Sequence, residues 1–138
     1  MNTAFLYPVL VQVALTFALV IATGLTRTAA IRRGEVKVSE VALGQKTWPK
    51  RSMLFSNAYQ NQLETPILFY AGIAFAGVYD VAGPVLLALA WVWVCVRLVH
   101  VAIHITTNHM LHRFMAFLAG VLVLAAFWTV MAIEVITR

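Results

Sequence analysis

Charge is scarce in this chain. Of 138 residues only 11% are Asp, Glu, Lys or Arg, and 62% are hydrophobic. A soluble domain carries about 25% charged and about 45–50% apolar residues, so this composition excludes a disordered chain and a typical nucleic-acid-binding domain. Cysteine is nearly missing as well. Cys95 alone cannot close an intramolecular disulfide, which excludes a disulfide-stapled secreted module and leaves redox compartment undecided. Acidic residues number five against ten Lys and Arg. Alternation at period two is lacking too, and the apolar runs are far longer than strands, which excludes a β-barrel.

What is present is long apolar runs. A transmembrane helix needs about 20 mostly apolar residues. Residues 2–26 hold no charge, are too long for a signal-peptide core and have no preceding Lys or Arg, so a first span is expected over residues 3–25 rather than a cleaved leader. Residues 27–51 form a basic loop, with helical extensions at both ends. Further spans are expected over 52–79, 84–105 and 113–136. Asp80, Gly83 and Pro84 make a tight connection, with Pro84 suited to a first helical turn. The reading is an all-α membrane protein, a four-transmembrane-helix bundle in a single integral membrane domain, residues 1–138.

Arg27, Arg32, Arg33, Lys37, Lys46, Lys50 and Arg51 face only Glu35 and Glu40 in the first loop. That excess equals the net charge of +5 for the whole chain. The imbalance is therefore a topology signal and implies no nucleic-acid or other acidic macromolecular partner. The positive-inside rule places this loop in the cytoplasm with His109, His112 and Arg113, and both termini on the opposite side.

Ionisable groups inside spans are costly and ask for a partner or a function. Asn57, Asn61 and Glu64 stand at i, i+4 and i+7, and Arg97, His100 and His104 at i, i+3 and i+7, so each set shares one helix face. Glu64 lies about 18 Å and Arg97 about 12 Å from the cytoplasmic helix ends at 1.5 Å per residue, so the two faces meet in one half of the bundle. Arg113 opens the fourth span at the mouth of that region, where free backbone N–H groups and the helix dipole favour an anion. Pro66 frees the carbonyl of Gln62 and is expected to kink the second helix one turn past its polar face.

Structural readings stand beside these. Glu64 and Arg97 can form a buried ion pair, the asparagines can be interhelical hydrogen-bond glue, and Arg113 can be a positive-inside anchor. His100 and His104 have zinc-ligand spacing but no carboxylate or thiolate near them in sequence, so no metal is assigned. Haem ligation needs His on facing helices, which the first two spans lack. The Trp and Tyr residues read as interface anchors or packing groups. Cys95 lies mid-span, where a thiolate is disfavoured. The first span carries no acid to serve as the proton carrier of a small exporter.

The second and third helices resemble the MAPEG family, the membrane-associated proteins in eicosanoid and glutathione metabolism. The resemblance rests on Asn61-x-x-Glu64 followed by Pro66, then Arg97-x-x-His100-x-x-x-His104, then Arg113. Length, four spans and a basic first loop extend it over essentially the whole chain. It implies a homotrimer that binds glutathione between protomers, in the cytoplasmic half of the membrane. Members conjugate glutathione to lipophilic electrophiles, reduce lipid hydroperoxides or isomerise endoperoxides. By that resemblance Arg113 stabilises the glutathione thiolate, and Asn57, Asn61, Glu64, Arg97, His100 and His104 bind the co-substrate.

Two positions depart from the family pattern. Characterised members carry arginine where Asn57 stands and tyrosine where His104 stands. The chain resembles a bacterial-type branch without an assigned reaction, which implies an inner-membrane location. Losing an arginine removes a natural carboxylate anchor. The alternative function is thus a non-catalytic membrane scaffold or binding protein that keeps the fold, with Glu64 and Arg97 structural.

Overall fold

The computed structural model describes residues 3–137. A single turn of 3₁₀ helix, Thr3–Phe5, leads into α1, Leu6–Arg32. A short helix α2, Val38–Ala42, sits in the basic loop. Then follow α3, Lys50–Gln60, α4, Pro66–Val78, α5, Pro84–Ile105, and α6, Met110–Ile136. Three stretches are long and apolar enough to cross a membrane: Thr3–Arg32, Pro84–Ile105 and Met110–Ile136.

α1 runs seven residues past the expected span end at Leu25. At 1.5 Å per residue it measures about 40 Å, against a hydrocarbon core of about 30 Å. Its hydroxyls are absorbed locally: Thr16, Thr23 and Thr26 donate to the carbonyls of Gln12, Leu19 and Ala22. Gly34 ends the helix at φ 69°. There the N–H of Gly34 reaches the carbonyl of Ile31 and that of Glu35 the carbonyl of Ala30, a left-handed C-terminal cap that glycine adopts without a Cβ penalty. Within the loop the Arg33 guanidinium hydrogen-bonds the Glu35 carboxylate and so holds its pKa below the ordinary value.

The second apolar segment is two helices, which corrects the expectation of one kinked helix. Pro66 has no N–H to continue the ladder and instead serves as the first residue of α4, the helical position proline tolerates best. Upstream the backbone tightens, with Gln62 and Leu63 donating to the carbonyls of Tyr59 and Gln60, three residues back rather than four. Asn61 is the C-cap of α3 and Glu64 lies in the intervening turn, so Asn57, Asn61 and Glu64 do not share one continuous helical face.

The apolar core lies away from the basic loop. Phe69 stacks on Trp93 with centroids 4.3 Å apart and planes 14° from parallel. Leu86, Leu124, Phe127 and Met131 close around them. Gly72 lets α4 approach α6, since a Cβ there would sit 2.8 Å from the Phe127 ring. Trp128 closes the same contact by donating its indole N–H to the Leu68 carbonyl at 3.2 Å. At the far end of α4, Asp80 takes φ 54° and the N–H of Val81 returns to the Ala76 carbonyl at 2.8 Å. Gly83 and Pro84 then start α5, as the sequence predicts.

Candidate functional site

The break between α3 and α4 frees backbone carbonyls inside an apolar bundle, where an unsatisfied group is expensive. Arg97 answers that need. It is 2% exposed, and its Nη2 donates to the Asn61 carbonyl oxygen at 2.7 Å. No ion pair within 4.0 Å joins it to Glu64 among the described residues. The expected Glu64–Arg97 pair is thus replaced by a cation on a freed carbonyl, with Glu64 exposed in the turn beyond ion-pair distance. The Asn61 side chain turns back on its own helix and donates to the Asn57 carbonyl at 3.0 Å.

One turn further along α5, His100 is 3% exposed and its ring lies 6.4 Å from that of Phe117 on α6. Asn61, Glu64 and His100 face Arg113 across a groove of about 250 Å³, closed on its other wall by Met110, Phe114 and Phe117. The groove therefore has a polar floor and an apolar, aromatic wall.

Arg113 is the fourth residue of α6, and the link before it fixes its direction. Asn108 adopts φ 52°, a left-handed conformation that asparagine tolerates better than most residues. Its N–H bonds the Ile103 carbonyl at 2.7 Å, and its side-chain oxygen accepts Nη1 of Arg113 at 2.7 Å. A guanidinium has five N–H donors; Nε of Arg113 is buried without a partner, which leaves its terminal N–H groups to meet an anion in the groove.

Asn57 and His104 lie outside this groove. Asn57 borders a separate depression with Arg27 and Trp48. His104 is fully buried, 5.9 Å from the His100 ring, and neither of its nitrogens has a hydrogen-bond partner.

The order of these residues along the chain now meets an independent finding. A family model described as MAPEG family matches residues 5–133. The chain belongs to the MAPEG family. No curated protein and no solved structure matches it. Family membership and the three long apolar helices make this MAPEG chain an integral membrane protein.

Three features of the site escape sequence reasoning. Asn108 lies in a short polar link and gives no signal unless its left-handed backbone is foreseen. The carbonyl of Asn61 becomes a ligand for Arg97 only through the break. The buried amides Gln12 and Gln62 bond to each other at 2.8 Å across 50 residues of chain, a pairing for which the sequence gives no signal.

Proposed function

We propose that this MAPEG protein is a homotrimeric, glutathione-dependent transferase or peroxidase acting on lipophilic substrates at the bacterial inner membrane, with its basic loop in the cytoplasm. The observation that supports this reading is the single groove in which Asn61, Glu64 and His100 face Arg113 beside Met110, Phe114 and Phe117. Glutathione is a zwitterionic peptide with a thiol, and the groove offers a carboxylate for its ammonium group, an amide for its peptide groups and a guanidinium for an anion. A free thiol has a pKa near 8.5 and is mostly protonated at neutral pH, while a neighbouring cation favours the thiolate. Arg113, aimed by Asn108 and seated in the first turn of α6, supplies that cation together with the helix dipole.

An apolar substrate reaches the sulfur along the aromatic wall. In conjugation the thiolate bonds to the electrophilic carbon and the leaving group departs with its electron pair. In peroxide reduction the thiolate takes one oxygen of the O–O bond, the alcohol leaves, and a second glutathione displaces hydroxide to give the disulfide.

Calorimetry with millimolar glutathione on the purified protein tests the reading. Binding is expected, with a thiolate ultraviolet absorbance that disappears in Arg113→Ala and weakens in Asn108→Ala. Absence of binding heat for the wild type would end it. The position of Asn57 outside the groove favours a second reading, a non-catalytic membrane scaffold. Under that reading Glu64→Gln leaves glutathione affinity unchanged, and the polar residues matter only for assembly and thermal stability.

A further inference from the structure

The junction between α5 and α6 carries a side-chain pair that the groove does not use. His109 and His112 are both exposed, and their rings lie 4.4 Å apart with planes 36° from parallel. Neither lines the groove of Arg113, although Met110 between them does. Imidazole is the commonest metal ligand among side chains.

The spacing follows from the way α6 starts. His109 is its N-cap, with extended ψ 117°, and its side chain makes no capping hydrogen bond. His112 is the third helical residue. Side chains at these two positions face each other, the relation that a capping box exploits. The backbone beneath them is pinned. The N–H of Asn108 reaches the Ile103 carbonyl at 2.7 Å, that of Arg113 reaches the His109 carbonyl at 3.0 Å, and the Asn108 side chain is held by Arg113. The two rings are therefore juxtaposed before any metal arrives.

The distance discriminates between metals. A metal–nitrogen bond of about 2.0 Å and a further ~1.1 Å to the ring centre put each centroid about 3.1 Å from the ion. Two such rings on adjacent corners of a square plane lie about 4.4 Å apart, against about 5.1 Å on a tetrahedron. The observed 4.4 Å matches the square plane, the geometry of Cu(II) and Ni(II). Arg113 and the positive end of α6 oppose a cation here. That favours the ion with the strongest bonds to nitrogen, and Cu(II) heads that order. No group of three or more His, Cys, Asp or Glu that could hold a metal occurs among the described residues, so the other corners fall to water or an exogenous ligand.

We infer that His109 and His112 form an open, two-imidazole site for a square-planar divalent metal, Cu(II) ahead of Zn(II). The site lies beside the glutathione groove and does not depend on it.

Cu(II) titration of full-length protein without an affinity tag, in the absence of glutathione, tests it. Electron spin-echo modulation counts the imidazoles on the bound ion. One Cu(II) per chain with two coordinated imidazoles is expected, and Zn(II) should displace it only in excess. His109→Gln and His112→Gln should each lose the two-imidazole signature. The proposal is overturned if the wild type binds no stoichiometric Cu(II) or shows a single imidazole, since the rings then only stack. It is also overturned if either variant keeps two imidazoles, which would place the donors elsewhere. Should a variant lose helix by circular dichroism, protection of the wild type from diethyl pyrocarbonate decides the question. Cu(II) is expected to shield His109 and His112 together, and modification of both at the metal-free rate would overturn the site.

Discussion

Away from the basic loop the helices bury Phe69, Leu86, Trp93, Phe127 and Met131, while toward it the least exposed side chains include Ser52, Gln62, Arg97, His100 and His104. The first half has continuous helices and an aromatic stack. The second half has a broken helix, a cation on a carbonyl and several buried nitrogens without partners. In a bilayer helices gain nothing from escaping water, so association rests on close packing and interhelical hydrogen bonds. The packed half meets that demand with shape. The polar half meets it with specific bonds, and it carries the groove that holds Arg113. A fold whose stability is supplied at one end can accommodate strained, polar chemistry at the other.

The sharpest way to break this division is to attack the packed half. Phe69 is fully buried and stacked on Trp93, so Phe69→Ala leaves a large cavity and is expected to cost about 3 kcal/mol in reversible unfolding from mixed micelles. Glutathione affinity of the folded protein should not change, because Phe69 does not line the groove. A parallel loss of affinity would show that the two halves are one cooperative unit.

Arg97→Leu comes next and probes the polar half. It removes the donor to the Asn61 carbonyl, and orphaning that acceptor is expected to cost about 2 kcal/mol. Hydrogen exchange should accelerate at residues 61–65 while α4 amides stay protected. If the variant instead proves more stable, as happens when a hydrophobic residue replaces some buried charges, the break persists without its cation and Arg97 is retained for ligand binding.

The two halves were also unequally legible from sequence. α1, α5 and α6 follow from long apolar runs, because span length is a property of composition. Even so, the first helix outran its apolar stretch, since a helix can continue through Thr26–Arg32 once its termini leave the bilayer. In the polar half the residue types and their order were legible, and Asn61, Glu64, His100 and Arg113 do converge. Their partners were not. A spacing rule assumes an unbroken helix, and Pro66 breaks that assumption upstream of itself by ending α3 at Gln60. Charge pattern then suggests Glu64 for Arg97, whereas the structure offers a backbone carbonyl that only the break exposes. Asn57 lies within α3 beside a separate depression, and His104 lies buried on the unbroken α5, so neither joins the groove.

The smallest expected effect lies at the seam between the halves. Nε2 of Gln12 donates to Oε1 of Gln62 at 2.8 Å, and Nε2 of Gln62 donates to the Ala58 carbonyl at 3.2 Å, tying α1 to the second residue past α3. Methionine keeps the length of glutamine without its polar atoms. Gln12→Met leaves one acceptor of Gln62 without its donor, whereas Gln62→Met strands both ends of the Gln12 amide, whose Oε1 already lacks a partner. The second variant should therefore be the less stable of the two. The double variant removes both amides and leaves only the Ala58 carbonyl without its side-chain donor, as Gln62→Met already does, so its loss should fall short of the summed single losses by about 0.6 kcal/mol, the usual worth of an interhelical hydrogen bond in a membrane. A coupling near zero would mean that water replaces the missing partner. The seam would then belong to the hydrated, polar half rather than to the packed one.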